Sequence, residues 1–380
     1  MMVESRTVTI GSLPMPQSKV LHVASGDLWG GAEAAVYELC NGLHARDVEV
    51  RALILNPGEL ATRLSGAGIA TTVMDERTHS SLRILLELRR AIAAFRPDVV
   101  HSHRKKEHIL ACAAARTVPG TQPALVKTIH GAPEPRSRVP DLRVRLSQTL
   151  ESWCDDRFDA RVAVSNELAA LLRKESGRSF HVVHNGIRPP DDAARPRAEV
   201  TPHVVGFAGR FVPIKRLDLL IQVAAHARRL APDALHFEIV GTGPLHDQLL
   251  EQAQTAGVGG TVTFVPFQPY IWNTLAAWDV AILTSDHEGL PMICLEALAA
   301  GVPVFARDVG GLRELVLGPE QGRLIDSADP EELARQLLRF VSECQAPALR
   351  FSRLPPDFAA AAMCSGYLRI YEELALRHSR

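Results

Sequence analysis

Two glutamates, Glu288 and Glu296, stand in the stretch Ser285-Asp286-His287-Glu288-Gly289-Leu290-Pro291-Met292-Ile293-Cys294-Leu295-Glu296-Ala297-Leu298-Ala299-Ala300-Gly301. Val280 to Leu283 before it reads as a buried strand. Pro291 suits the first position of a helix, where a missing N–H costs least, and Gly301 ends that helix before a strand from Val302 to Phe305. Glu288 is therefore predicted in a loop at the carboxyl end of a strand. Glu296 falls inside the helix, five residues past Pro291, roughly 7–8 Å along at ~1.5 Å per residue. Its helical neighbours Met292, Ile293, Ala299 and Ala300 are apolar, so its carboxylate either finds a partner or leans out to solvent. The free N–H groups of a helix start favour an anion such as phosphate. An acid, an anion site and a second acid in line suit a sugar, a diphosphate and a ribose. A nucleotide-sugar lying along the helix would meet all three, with Gly289, Leu290, Pro291, Met292 and Ile293 as the contacts between the acids.

Other groups along the chain could serve the same chemistry. Gly30-Gly31 follows a strand and opens a helix, an arrangement that binds phosphate in many α/β proteins. The full dinucleotide fingerprint is absent, so a nicotinamide cofactor is not supported. Gly209-Arg210 directly follows another strand, with Lys215 five residues on. A planar guanidinium and a point charge at a strand end beside a helix start make a diphosphate clamp. Gly241-Thr242-Gly243 ends a further strand and is expected to line the same edge. His101 and His103, two apart on an extended chain, share a face. Such a pair can bind zinc, but no third ligand is evident nearby, and hydrogen-bonding roles are the alternative. His130-Gly131 closes another strand. No Asp-x-Asp occurs, so a metal-bound diphosphate is not indicated.

The elements that must position these groups alternate along the chain. Strands are expected at Lys19–Ala24, Val48–Leu55, Thr71–Met74, Asp98–His101, Ala124–Ile129, Arg161–Val164 and His181–Val183. Helices fall between them, one of them capped by Ser165. Residues 188–202, with four prolines, read as a linker. The alternation then resumes with Val204–Ala208, His236–Val240, Thr261–Val265 and Asp279–Leu283. This pattern implies parallel sheets covered by helices, with ligands beyond the carboxyl ends of the strands.

The Glu-Gly-Leu-Pro…Leu-Glu-Ala…Ala-x-Gly-x-Pro-Val string from Glu288 to Val304 resembles the signature of retaining GT-B glycosyltransferases of the group 1 (family 4) type. The resemblance covers about Lys19 to Leu376. It implies an α/β chain of two Rossmann-like domains facing across a deep cleft. Residues 1–18 would be a poorly ordered leader, 19–190 the acceptor domain, 191–202 the linker and 203–357 the nucleotide-sugar donor domain. A last helix, within 358–380, would cross back to the first domain. The family places its active-site histidine, which contacts the transferred sugar, at His130. It places the diphosphate cations at Arg210 and Lys215, a base contact at Phe267, and donor or acceptor contacts at Gly30 and Gly31. Gly209 and Gly241 would line the donor site, and Asn185-Gly186 resembles the closing turn of the first domain. The family usually has proline where His184 stands. The implied reaction is retaining, metal-independent transfer from a nucleoside-diphosphate sugar, with UDP or GDP as the expected nucleotides and no other cofactor. The acceptor would be a glycan, glycolipid or small molecule, in bacterial-type cell-surface polysaccharide, lipopolysaccharide or glycolipid synthesis. His101, His103, Arg136, Arg138 and Asn185 are candidate acceptor contacts. A nucleotide-sugar epimerase or phosphorylase, or a non-catalytic sugar-nucleotide binding subunit, could use the same cleft.

Composition sets outer bounds. The chain has 380 residues, 46% of them hydrophobic and 22% charged, with a formal net charge of -1. That excludes a polycation for nucleic acid. Residues 1–190 carry 25 Lys/Arg against 20 Asp/Glu, and residues 191–380 carry 17 against 23. A basic first half suits an anionic surface or acceptor. The segment from Pro133 to Arg145, followed by an apolar stripe at Leu142, Leu146, Leu150 and Trp153, is a candidate for peripheral contact with anionic membrane. Six scattered cysteines without a Cys-x-x-Cys fit reduced thiols in the cytoplasm. No run approaches the ~20 apolar residues of a membrane span.

Overall fold

The computed structural model describes residues 18–132, 152–190, 202–344 and 352–378. The leader up to residue 17, the segment with Arg136 and Arg138, and residues 191–201 of the expected linker lie outside the described residues. Two parallel sheets organise the rest. The first has β1 (Lys19–Ser25), β2 (Glu49–Leu55), β3 (Ala70–Met74), β4 (Val99–Ser102), β5 (Ala124–Ile129), β6 (Ala160–Ala163) and β7 (His181–Val182), in the order β3-β2-β1-β4-β5-β6-β7. The second has β8 (His203–Arg210), β9 (Leu235–Thr242), β10 (Val262–Val265), β11 (Val280–Leu283), β12 (Val304–Arg307) and β13 (Gly322–Ile325), in the order β10-β9-β8-β11-β12-β13.

Strands such as β4 and β11 are buried along their whole length, as parallel strands covered on both faces must be. In both sheets the order reverses beside the first strand, between β1 and β4 and between β8 and β11. Those switch points are where open α/β sheets leave a crevice. Nearly every strand lies within two residues of its sequence expectation. β13 was not expected. It is a short edge strand whose first residue, Gly322, has φ +149°, and only a Leu-Ile pair marks it as apolar.

Ser165 caps the Asn166–Ser176 helix as expected, accepting from Leu168 N at 3.2 Å. Pro291 sits one position earlier than expected. It is the N-cap of the Met292–Ala299 helix, with φ −72° and ψ 121°, and not its first helical residue. The C-terminal helix, Ala360–His378, packs on the first sheet's side. Met363, Cys364, Tyr367, Ile370 and Tyr371 share one buried cluster with Val20, Leu39, Cys40 and Leu43. The two lobes meet directly. A continuous apolar cluster joins Ala34, Ala35, Val164 and Leu168 of the first to Leu290, Met292 and Leu295 of the second.

Candidate active site

The loops that leave β8 and β11 are tied to each other at the second switch point. Thr284 Oγ1 donates to the carbonyls of Lys215 (3.2 Å) and Arg216 (2.9 Å), and Asp286 N donates to Ile214 O at 2.9 Å. Arg216 holds a left-handed backbone, φ +49°, and its guanidinium pairs with Asp218 and Asp286. A non-glycine residue in that region is costly, and the surrounding hydrogen bonds hold it there. This frame sets Lys215 Nζ at 2.6 and 2.8 Å from the two carboxylate oxygens of Glu288. Ser285 Oγ donates to the same carboxylate at 2.6 Å. Glu288 is buried, so these three hydrogen bonds replace its water.

The loop of Glu288 also bears on the first lobe. A Cβ on Gly289 would stand 2.2 Å from His130 O, so only glycine permits this approach. A Cβ on Gly31 would stand 3.5 Å from Met292 Cγ, and one on Gly30 would stand 4.0 Å from Arg210 Cδ. Gly30, Gly31, His130, Arg210, Lys215, Glu288, Gly289 and Met292 therefore converge on one place between the two switch points. Arg210 is exposed and has no ion pair among the described residues. No described residue accepts from the N–H groups of Met292 or Ile293. An exposed guanidinium, a lysine and a helix start facing a glycine loop can hold a polyanion.

Glu296 is partly buried where its helix meets the Gly31–His44 helix of the first lobe. Burial, then the nearby charge of Glu38, push its carboxyl up to about 8, and Arg63 pulls it back. Glu38 is itself raised by burial to about 7. Arg63 lies over the Trp29 ring, 4.3 Å from its centroid, and donates to the Pro269 carbonyl of the second lobe. Phe267, on the same loop as Pro269, is exposed.

Two family models match adjoining stretches of the chain: Glycosyltransferase Family 4 over residues 29–190, and Glycosyl transferases group 1 over residues 190–350. The chain is a glycosyltransferase of the group 1 and family 4 kind. The glycosyltransferase is 27% identical to the lipopolysaccharide core biosynthesis glycosyltransferase LpsD of Rhizobium meliloti, across 93% of this chain and 98% of that one. It is 33% identical to the D-inositol 3-phosphate glycosyltransferase of Streptosporangium roseum, but there only 55% of this chain and 51% of the relative align. Among solved structures, that of Anabaena HepE in complex with UDP and glucose matches with a TM-score of 0.76 at 20% identity, over 94% of this chain and 100% of that one.

Several candidate residues of the glycosyltransferase stand elsewhere than the sequence suggested. His101 is fully buried. Its Nδ1 pairs with Tyr371 Oη at 2.7 Å and its Nε2 with Thr128 Oγ1 at 2.8 Å. With both nitrogens engaged it is not offered to an acceptor, which corrects that expectation. Asn185 is buried too, its amide donating to Leu290 O at 3.1 Å, so it ties the lobes together instead of facing an acceptor. His103 is buried between His22 and His130. Gly209 and Gly241 are register partners on β8 and β9, and a Cβ on Gly241 would stand 2.0 Å from Gly209 O. Close backbone packing accounts for glycine at Gly241. Leu290 is buried in the interlobe cluster, with Ile293 packed against it.

Sequence reasoning missed several groups. His22 lies beside His101 in register, and with His103 brings three ring nitrogens within 4.8 Å of one another. His101 could turn a nitrogen to a cation only by giving up a hydroxyl partner, so the trio fits a metal poorly. Arg104 pairs with buried Glu33 next to Gly30. Glu314 of the second lobe accepts from Asn166 N (3.0 Å), Asn166 Nδ2 (2.6 Å) and Glu167 N (3.1 Å) at the start of a first-lobe helix, and pairs with His184 Nε2 at 2.7 Å. No spacing in the chain announces these contacts.

Proposed function

We propose that this enzyme transfers a hexosyl unit from a nucleoside-diphosphate sugar to a hydroxyl acceptor, with retention and without a metal ion, in bacterial-type cell-surface polysaccharide, lipopolysaccharide or glycolipid synthesis. The observation that carries the reading is the convergence of Arg210, the Lys215–Glu288 pair and the Met292–Ala299 helix start on the Gly30–Gly31 loop. The C1–O bond to phosphate breaks, and the acceptor oxygen forms a bond to C1 on the same face. The acceptor proton passes to the departing phosphate oxygen. Arg210, Lys215 and the helix N–H groups stabilise the charge that grows on the diphosphate. Glu288 positions sugar hydroxyls, His130 contacts the sugar, and Glu296 holds the ribose. The first lobe, residues 19–190, takes the acceptor, and residues 203–357 take the donor.

LpsD supports a surface-glycan acceptor, and the UDP and glucose of the HepE complex make UDP-glucose the first donor to try. No described helix is long and apolar enough to cross a membrane. We place the enzyme in the cytoplasm, reaching lipid-borne acceptors at the inner membrane face. A thermal-shift screen with UDP, GDP and ADP sugars tests the donor, since a ligand that prefers the folded form raises Tm. Nucleoside diphosphate released only when an acceptor is added supports transfer. Donor consumed to an isomeric nucleotide-sugar, or bound with no turnover against any acceptor, would overturn it.

A further inference from the structure

Three histidines stand in file behind the loop of Glu288. His22 lies in the middle of β1, while His103 immediately follows β4 and His130 immediately follows β5, three neighbouring strands at the first switch point. His22 Nδ1 is 3.0 Å from His103 Nε2, and His103 Nδ1 is 3.3 Å from His130 Nε2. His22 is 0% and His103 3% exposed. The His22 and His103 rings are stacked, 13° apart in plane. His22 Nε2 and His130 Nδ1 have no partner among the described residues.

We propose that His22 and His103 are positioning residues that fix the tautomer of His130, so that His130 presents an N–H, at Nδ1, to an oxygen of the bound donor. This rests on the glycosyl-transfer reading of the cleft. Burial keeps all three rings neutral: it holds His22 at about 3, His103 well below its ordinary value and His130 at about 4, with Arg104 adding to the last. A neutral imidazole carries one N–H and one lone pair, so each contact in the file has one donor and one acceptor. Only two arrangements satisfy both contacts. In one, every Nδ1 is protonated: His22 donates to His103, His103 donates to His130, and His130 Nδ1–H points onward. In the other, every Nε2 is protonated and the unpaired N–H is that of His22.

The two ends of the file differ. His22 Nε2 lies inside the sheet, where no ligand reaches, and an unpaired buried N–H costs about 1–3 kcal/mol. His130 is only half-buried, and its carbonyl stands against Gly289 at the cleft; its Nδ1 is covered in the ligand-free protein, as His22 Nε2 is, but on the side that a bound donor's sugar or phosphate oxygen would have to open. The unpaired N–H therefore belongs at His130. His101 does not disturb the file, because Tyr371 and Thr128 occupy both its nitrogens. The Nδ1–H form is the less common one for a free neutral imidazole, which makes it a distinctive signature.

The test is a long-range proton–nitrogen NMR spectrum of the enzyme with nitrogen-labelled histidine at neutral pH. The expected result is a protonated Nδ1 and a bare Nε2 for His22, His103 and His130 alike. A protonated Nε2 on His130 overturns the proposal without any variant. His22→Leu removes the inner donor, and should give His130 a mixture of tautomers and lower kcat by roughly fivefold to tenfold, the value of one hydrogen bond, with donor KM unchanged. In His22→Asn the amide nitrogen stands close to Nδ1, and most of both should return. Equal losses in the two variants, or a wild-type tautomer and kcat in His22→Leu, would mean a purely structural role. If His22→Leu does not fold, the wild-type spectrum and His22→Asn decide. If His130→Ala keeps full turnover while the wild-type spectrum shows the file, the fault lies with the role given to His130 in transfer and not with the file.

Discussion

Lys215 Nζ reaches both carboxylate oxygens of Glu288, at 2.6 and 2.8 Å, across 73 residues of chain. The lysine expected to face a diphosphate is thus also the counter-ion of the acid expected to face the sugar. Removing one member of a buried pair leaves the other uncompensated, at a cost of about 3–5 kcal/mol when burial is complete. Lys215 retains some exposure, so the lower end applies. Lys215→Met should lower Tm by several degrees and abolish turnover. Glu288→Gln keeps the shape and should cost less stability while still cutting kcat by about 10²-fold or more. Thermal unfolding and steady-state kinetics on both variants check this. A Lys215→Met enzyme with unchanged Tm would show that the pair is not formed in solution.

Arg210 is the opposite case. It is exposed and has no ion pair among the described residues, so its removal should leave Tm within about a degree, as surface substitutions do. Arg210→Ala should nonetheless lower kcat by roughly 10²-fold through lost stabilisation of the leaving diphosphate. The split between unchanged Tm and reduced kcat is the expected signature.

Glu296 and Glu38 give a pH dependence of definite sign. Their folded values, about 8 and about 7, lie above the ordinary 4.5, so the folded state binds more protons than the unfolded chain between those limits. Stability should therefore be highest below about 4.5 as far as these two groups are concerned, and fall as pH rises through about 7 and about 8. Glu38→Gln removes the like charge opposite Glu296 and should flatten the upper part of that fall. Tm of the ligand-free enzyme measured from about pH 5 to 9 decides it. A curve that rises over this range in the wild type and is unaltered by Glu38→Gln contradicts the assignment.

Glu314 joins the lobes by capping a helix of the other one. Burial opposes its charge, but the N–H groups of Asn166 and Glu167 and the His184 ring outweigh burial and hold the carboxyl below its ordinary range. Its contribution should be present above about pH 4.5 and lost on acidification. Glu314→Ala should cost about 1–2 kcal/mol, as loss of a helix cap does, and loosen the closed arrangement. A larger radius of gyration by X-ray scattering, reversed by donor, is the expected readout.

Gly289→Ala would press its Cβ against the His130 carbonyl, a backbone atom that cannot swing away. The lobes must part or the loop must shift, and turnover should fall sharply while secondary structure by circular dichroism stays the same. Wild-type kcat in this variant would argue that the contact opens during the cycle.

Local regularities in the chain were enough to set out much of this enzyme. Apolar runs of four to eight residues, alternating with helical periodicity, gave two parallel sheets, because burial on both faces leaves its mark on every strand. The glycines at Gly30, Gly31 and Gly289 were legible because the backbone approaches they permit fall at predictable strand ends. Glu288 and Glu296 were legible because a helix start lies between them. β13 escaped because a short edge strand buries too little to leave a pattern. The pairings escaped for a different reason. His101 is sealed by Tyr371, 270 residues away, Glu288 by Lys215, and Glu314 caps a helix 148 residues earlier. Nothing in local sequence records which strand ends become neighbours. That follows from sheet order, from the last helix crossing back, and from the closure of one lobe on the other, and these turn the same histidines and acids into a sealed core residue, a buried file or an open site.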